Sequence, residues 1–152
     1  MKKLLIKSVL TIVLFTGISS AQTDGFGLGI IVGQPTGLSA KYWLSSNNAL
    51  DFGLGYSFEK NSRMSLHVDY LFHARNLFNT SENISLHYGP GGRLRLVEEG
   101  DSRLGVRFDV GLTWVPRSSP VDVFLEIAPL LDIIPETKFS FNGGIGVRYY
   151  FK

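Results

Sequence analysis

Between Arg103 and Val115 the residues alternate strictly between two chemical classes. The even positions are apolar: Leu104, Val106, Phe108, Val110, Leu112 and Trp114. The odd positions up to Thr113 are charged, polar or glycine: Arg103, Gly105, Arg107, Asp109, Gly111 and Thr113. Because successive side chains of a β-strand point to opposite faces, this segment predicts a strand with one apolar and one polar face. Both a soluble β-sandwich and a transmembrane barrel contain such strands, and they differ in what covers the apolar face.

The same alternation, with turn residues between segments, divides the chain into eight predicted strands. They cover residues 26–32, 38–44, 49–58, 64–73, 84–96, 103–115, 121–131 and 139–151. Eight is the smallest number of strands seen in membrane barrels, and most of these segments reach the length that a tilted membrane strand needs. The sequence therefore predicts an all-β fold: an eight-stranded antiparallel up-and-down transmembrane β-barrel that follows an N-terminal signal peptide.

The first 21 residues predict that signal peptide. Lys2 and Lys3 form a basic start, residues 9–18 are apolar, and Ser19, Ser20 and Ala21 resemble a cleavage site. The apolar run is too short to span a bilayer as a helix, although a retained anchor is the alternative. The predicted organisation is a signal peptide at 1–21 and an outer-membrane barrel domain at 22–152.

Removal of the signal peptide changes the charge of the chain. Lys2, Lys3 and Lys7 leave with it, so 12 of the 15 basic residues remain against 13 acidic ones. The mature chain is then nearly neutral, which gives no reason to expect nucleic-acid binding. The absence of cysteine excludes disulfides, and no later segment forms an apolar run long enough for a membrane-spanning helix.

Two features favour lipid on the apolar face. The polar face is rich in Gly, Ser, Asn, Asp and Arg, and small residues suit the narrow interior of an eight-stranded barrel. Aromatic residues also gather near strand ends, as in the interfacial girdles of membrane barrels. These aromatics are Tyr42, Trp43, Tyr56, Phe58, Tyr70, Phe72, Trp114, Tyr149, Tyr150 and Phe151.

Charged and histidine side chains of the polar face are predicted to form one network in the lumen. Its members are Lys41, Asp51, His67, Asp69, Arg93, Arg95, Arg107, Asp109, Glu126 and Arg148. Opposite charges in a confined space should pair, because a lone buried charge is costly. The expected result is a structural plug, and a gated ion path or a small polar ligand site is the alternative.

No metal, cofactor or catalytic site is predicted. His67, Asp69 and His73 share one strand face, with His87 on the next strand, but His67 and His73 lie about 20 Å apart along the strand. Ser65, His67 and Asp69 stand at i, i+2 spacing, which is too long for direct triad contacts, and no Gly-x-Ser-x-Gly motif occurs.

Proline within a strand removes a hydrogen-bond donor, and a closed barrel has no free edge to accommodate that loss. Pro129 falls inside the seventh predicted strand. We therefore expect a bulge or a strand end at this residue.

The last residues, Gly146 to Phe151, resemble the final strand of outer-membrane barrels, which ends in phenylalanine with alternating aromatics. Tyr149 and Phe151 are the matching positions, and Lys152 departs from the pattern. Segments 33–39, 41–44, 67–73 and 124–129 resemble a family of small bacterial outer-membrane barrels of unknown function noted in spirochaetes. The chain is also similar in size to barrels of the OmpA and OmpX kind. These resemblances imply recognition of the C-terminus by the barrel assembly machinery and supply no catalytic residues.

The sequence thus predicts an outer-membrane protein with a structural or surface-interaction role, without catalysis. Its expected partners are outer-membrane lipid and, during biogenesis, the assembly machinery, and a monomer is expected. The alternatives are a narrow pore or carrier for small solutes, a soluble periplasmic barrel with an apolar interior, and a lipid-modifying enzyme. With a periplasmic N-terminus, the outward connections would be short and the longest one, near residues 76–83, would face the periplasm.

Overall fold

The computed structural model of the protein describes residues 25–57 and 63–151. The predicted signal peptide at 1–21 lies outside the described residues. No helix in the described part of the chain is long and apolar enough to cross a membrane.

Eight strands make up the described chain, and each of the eight predicted strands is confirmed. They are β1 (Phe26–Gln34), β2 (Gly37–Trp43), β3 (Asn48–Ser57), β4 (Arg63–Ala74), β5 (Asn83–Val97), β6 (Arg103–Val115), β7 (Val121–Ile134) and β8 (Lys138–Phe151).

Each strand pairs antiparallel with the next, and β8 pairs with β1 to close the barrel. The closing seam runs from Phe26 opposite Phe151 to Gln34 opposite Gly143. We call the end that contains Phe26 and Phe151 the terminal end, and the opposite end the distal end. Connections 44–47, 75–82 and 116–120 lie at the terminal end, and 35–36, 98–102 and 135–137 at the distal end. The longest of these is 75–82, as predicted.

The barrel is apolar outside and polar inside. In β6, Leu104, Val106 and Phe108 are 45–50% exposed, whereas Arg107 and Asp109 are at most 3% exposed. The other long strands repeat this pattern, with apolar side chains outward and polar ones inward. This is the arrangement of a membrane-spanning barrel, and it makes the soluble alternative with an apolar interior wrong.

The walls of the barrel differ in height. β1, β2 and β3 contain 9, 7 and 10 residues, whereas β5 to β8 contain 13 to 15. The longer strands, β5 to β8, carry exposed apolar side chains up to their distal ends, including Ile133, Ile134 and Phe139.

Two aromatic residues of the predicted girdle depart from it. Trp43 and Tyr150 are buried inside the barrel, where they form an apolar cluster with Ala49. Tyr42, Tyr56, Tyr70, Phe72 and Trp114 are exposed on the outer surface, as the girdle prediction requires.

The prediction of a bulge or strand end at Pro129 is wrong. Pro129 lies inside β7 and pairs in unbroken register with Phe141 of β8. On the other side, β7 pairs with β6 at Arg107–Leu130 and again at Val110–Ile127. Pro129, which has no backbone N–H donor, lies in the gap between these two pairs. The register shift between β6 and β7 occurs elsewhere, at Leu104 and Gly105.

Candidate functional site in the barrel lumen

Nine of the ten side chains predicted to line the lumen are buried there. Arg95 is the exception, because it is half-buried and lines a cavity that opens at the distal end. The sequence analysis missed Asp122 and Asp132, which are at most 2% exposed and belong to the same interior. Both share the parity of Glu126 in β7, which is the signal that could have found them.

The first ion-pair network centres on Arg148, near the terminal end. Its guanidinium lies 2.5 Å from Asp51 and 3.0 Å from Asp122. The Tyr150 hydroxyl donates a hydrogen bond of 2.6 Å to the second oxygen of Asp122, and Lys41 Nζ lies 3.7 Å from Asp51. This network joins four strands, β2, β3, β7 and β8.

The Arg148 guanidinium also lies over the ring of Phe124, 3.9 Å from its centroid. Stacking of this kind is favourable between a cation and an aromatic face. It explains why a phenylalanine occupies a lumen position among charges.

The second network centres on Arg107, in the middle of the barrel. Arg107 Nε lies 3.1 Å from Asp69 and its NH2 group lies 3.3 Å from Glu126. His67 Nε2 is 3.8 Å from Asp69. One cation here serves two carboxylates, one on β4 and one on β7.

The third network lies toward the distal end. Arg93 donates a hydrogen bond of 2.7 Å to Asp132, and Arg103 approaches the other oxygen of Asp132 to 3.6 Å. Arg93 also reaches Asn142 at 3.5 Å. In contrast to the middle, this end carries more arginine than carboxylate.

Aromatic side chains fill the terminal end of the lumen. Trp43 packs against His73 with ring centroids 4.5 Å apart, and Lys41 and Arg75 both approach the Trp43 ring, at 5.2 and 5.5 Å. Partial burial lowers the pKa of the Arg75 guanidinium, which also donates a hydrogen bond to the Ser46 carbonyl. These contacts join β2 to β4 at the terminal end of the lumen.

The histidines are held by hydroxyl groups and by glycines. His73 Nδ1 lies 3.3 Å from Ser85 Oγ, and His87 Nδ1 lies 2.8 Å from Thr113 Oγ1. A Cβ added to the glycine opposite a lumen ring would overlap that ring: at Gly53 it would lie 2.1 Å from His67. The same pairing of a glycine with a large lumen side chain recurs at Gly91 with Asp69, Gly111 with His87, Gly146 with Phe124 and Gly27 with Tyr150.

The serine, histidine and aspartate of β4 do not form a triad in this arrangement. Ser65 Oγ has no hydrogen-bond partner within the described chain, and the His67–Asp69 approach of 3.8 Å is beyond hydrogen-bond range. A nucleophile activated by a base requires that first contact. Most of the buried charges lie in ion pairs instead.

A cavity of about 350 Å³ opens at the distal end. Its polar lining includes Gln34, Thr36, Arg63, Ser65, Arg95 and Asn142. Arg95 lies among the positive charges of Arg63, Arg93 and Arg103, with Asp132 as the nearby carboxylate. Glu98, Glu99 and Asp101 of the adjoining connection are exposed and do not line the cavity.

Among solved structures, the chain is similar to Ail, the attachment invasion locus protein of Yersinia pestis. The two are 15% identical with a TM-score of 0.46, and the match covers 84% of this chain and 94% of that chain. No family model and no curated protein matches the chain. The resemblance to the spirochaete family of unknown function therefore stays a prediction.

Proposed function

We propose that this protein is an integral outer-membrane barrel whose lumen is plugged by ion pairs, and that its role is structural or one of surface interaction. The observation that carries the proposal is the inversion of polarity, with an apolar outer surface around a charged interior. A barrel with this surface is stable only where hydrocarbon covers it, because a soluble protein does not expose so large an apolar area.

The plugged lumen is supported by the three arginine-centred networks and by the layer around Trp43. Together they occupy the interior from the terminal end to the distal cavity, and eight strands leave room for little more than side chains. The narrow-pore alternative would need a continuous polar path past Trp43 and Tyr150, both of which are at most 6% exposed.

The test combines location with conductance. We expect the protein to fractionate with the outer membrane and to show a heat-dependent shift in gel mobility, because the closed barrel resists detergent until boiled. Folded protein in planar bilayers should be silent. Recovery in the soluble periplasm would overturn the membrane proposal, and stable unitary conductance from folded protein would overturn the plug.

A second candidate function, binding of an anionic group, is favoured by the distal cavity. Arg63 and Arg95 line it together with neutral polar side chains, and guanidinium groups bind phosphate and carboxylate well. With the N-terminus in the periplasm, this cavity would face the cell exterior.

Inorganic phosphate, followed by NMR chemical shifts of the folded protein in detergent, tests this candidate. We expect saturable shifts that the Arg95→Gln variant loses and that the Arg117→Gln variant keeps, because Arg117 lies at the terminal end. Equal responses from both variants would show that the cavity does not bind the anion.

A further inference from the structure

Three potential metal ligands converge in the middle of the lumen, and each comes from a different strand. His87 of β5, Asp109 of β6 and Glu126 of β7 each offer one ligand atom, and these atoms lie within 4.8 Å of one another. All three residues are buried. The spacing of the histidines along one strand does not predict this group, because register across β5, β6 and β7 brings the ligands together.

The ligand atoms lack partners. His87 Nε2 and both carboxylate oxygens of Asp109 have no hydrogen-bond partner in the described part of the chain, and Nε2 lies 3.8 Å from Asp109 Oδ2. Thr113 Oγ1 engages the other ring nitrogen, Nδ1. When Nδ1 donates its proton to Thr113, Nε2 presents its lone pair toward the carboxylate, so two acceptors face each other with room for a cation between them.

The charge of the interior favours the same ligand. The buried charged side chains in the described residues comprise six carboxylates and the four cations Lys41, Arg93, Arg107 and Arg148. The partly exposed Arg103 pairs with Asp132 and offsets part of this difference at the distal end. Arg107 pairs with Asp69 and with one oxygen of Glu126, and none of the described lysines and arginines lies within ion-pair distance of Asp109. Because a buried charge without a partner is costly, this region should bind a cation.

We propose that His87 Nε2, Asp109 and Glu126 bind a divalent transition-metal ion of the Zn²⁺ class. One imidazole and two carboxylates form a ligand set that such ions accept, and Glu126 keeps one oxygen for Arg107 while it offers the other. Tetrahedral coordination at about 2.1 Å places ligand atoms roughly 3.4 Å apart, so the side chains close by about 1 Å on binding. The ion joins β5, β6 and β7 from inside the barrel and supplies a positive charge next to Asp109.

Cobalt binding tests the site, because Co²⁺ substitutes for Zn²⁺ and gives visible absorption bands that report its coordination. The full-length folded protein in detergent is titrated with Co²⁺ and then with Zn²⁺. We expect one equivalent of Co²⁺ to produce the bands and Zn²⁺ to abolish them. The His87→Gln and Asp109→Asn variants should lose the bands, and His73→Gln is the matched control, since His73 is a buried lumen histidine outside the ligand set.

Thr113→Val separates ligation from positioning. It removes the hydroxyl that holds Nδ1 and leaves all three ligands, so we expect the bands to persist while affinity falls roughly 10-fold or more. Barrel folding of every variant is checked by the heat-dependent gel shift. If folded wild-type protein binds no Co²⁺, or if His87→Gln and Asp109→Asn bind it as well as wild type, the proposal is wrong.

Discussion

At the residue scale, the stability of the barrel depends on whether the buried charges of the lumen keep their ion-pair partners. Arg148 contacts Asp51, Asp122 and Phe124, and removal of this one side chain would leave two carboxylates without their guanidinium. A buried ion pair adds little compared with an apolar replacement of the whole pair, but loss of one partner alone is strongly destabilising.

We expect Arg148→Met to lower the free energy of unfolding by about 3–5 kcal/mol, since it leaves both carboxylates buried without the guanidinium. Urea titration of the vesicle-folded protein, followed by gel shift, measures the change. Addition of Asp51→Asn and Asp122→Asn to this variant should restore part of the loss. Lys138→Met, an exposed control, should change stability by less than about 0.5 kcal/mol. Equal stability of Arg148→Met and the control would contradict the network.

Glycines on the lumen face make room for the side chains opposite them. We expect Gly53→Ala to destabilise the barrel by roughly 1–3 kcal/mol, because its Cβ would overlap the His67 ring. His67→Ala in the same chain should remove most of that cost, and denaturant titration of the double-mutant cycle measures the coupling. Gly92→Ala is the control, since its nearest neighbour lies 3.8 Å away. Additive effects would argue against the overlap.

At the element scale, alternation predicted all eight strands because one solvent covers the outer face along their full length. Alternation predicted the side chains of the lumen less completely than it predicted the strands. In β7 the lumen face mixes polar and apolar side chains, namely Asp122, Phe124, Glu126, Ala128, Leu130 and Asp132. The two faces of β7 therefore do not differ clearly in polarity, and the two lumen aspartates near the strand ends are not predicted. Trp43 was misplaced for a related reason: an aromatic side chain near a strand end suits both a girdle and an interior layer.

The apolar face of β6 provides a depth-dependent test of membrane insertion. We expect Phe108→Arg, near the middle of the strand, to destabilise the folded barrel by about 2–4 kcal/mol, and Leu104→Arg, near its distal end, by about 0–1 kcal/mol. The physical reason is the cost of placing a guanidinium in hydrocarbon. Folding titrations in lipid vesicles measure both, and equal costs at the two depths would contradict a membrane-spanning β6.

At the scale of the whole molecule, closure depends on the β1–β8 seam, where the last residue of β8 meets the first residue of β1. Phe151 pairs with Phe26 there, and its ring packs edge-on against Tyr149 at 5.1 Å. The sequence resemblance implies that the assembly machinery recognises Tyr149 and Phe151, and the fold alone does not reveal this partner.

We therefore expect Phe151→Ala to reduce the amount of barrel in the outer membrane several-fold in cells, because the sequence resemblance implies that the assembly machinery binds the C-terminal aromatic. Quantitative blotting of membrane fractions measures this. Purified Phe151→Ala should still refold into vesicles, with Phe141→Ala as an exposed aromatic control on the same strand that keeps its cellular level. A refolding failure in vitro would instead assign Phe151 a structural role.

The unequal walls have a consequence for the surrounding lipid. At about 3.3 Å per residue, the seven residues of β2 extend roughly 23 Å along the strand and the fifteen of β5 roughly 50 Å. A bilayer of uniform thickness cannot match both sides, so we expect the molecule to sit obliquely and to thin the leaflet beside β1 to β3. Such a local deformation is a property that neighbouring membrane proteins can sense without touching the barrel.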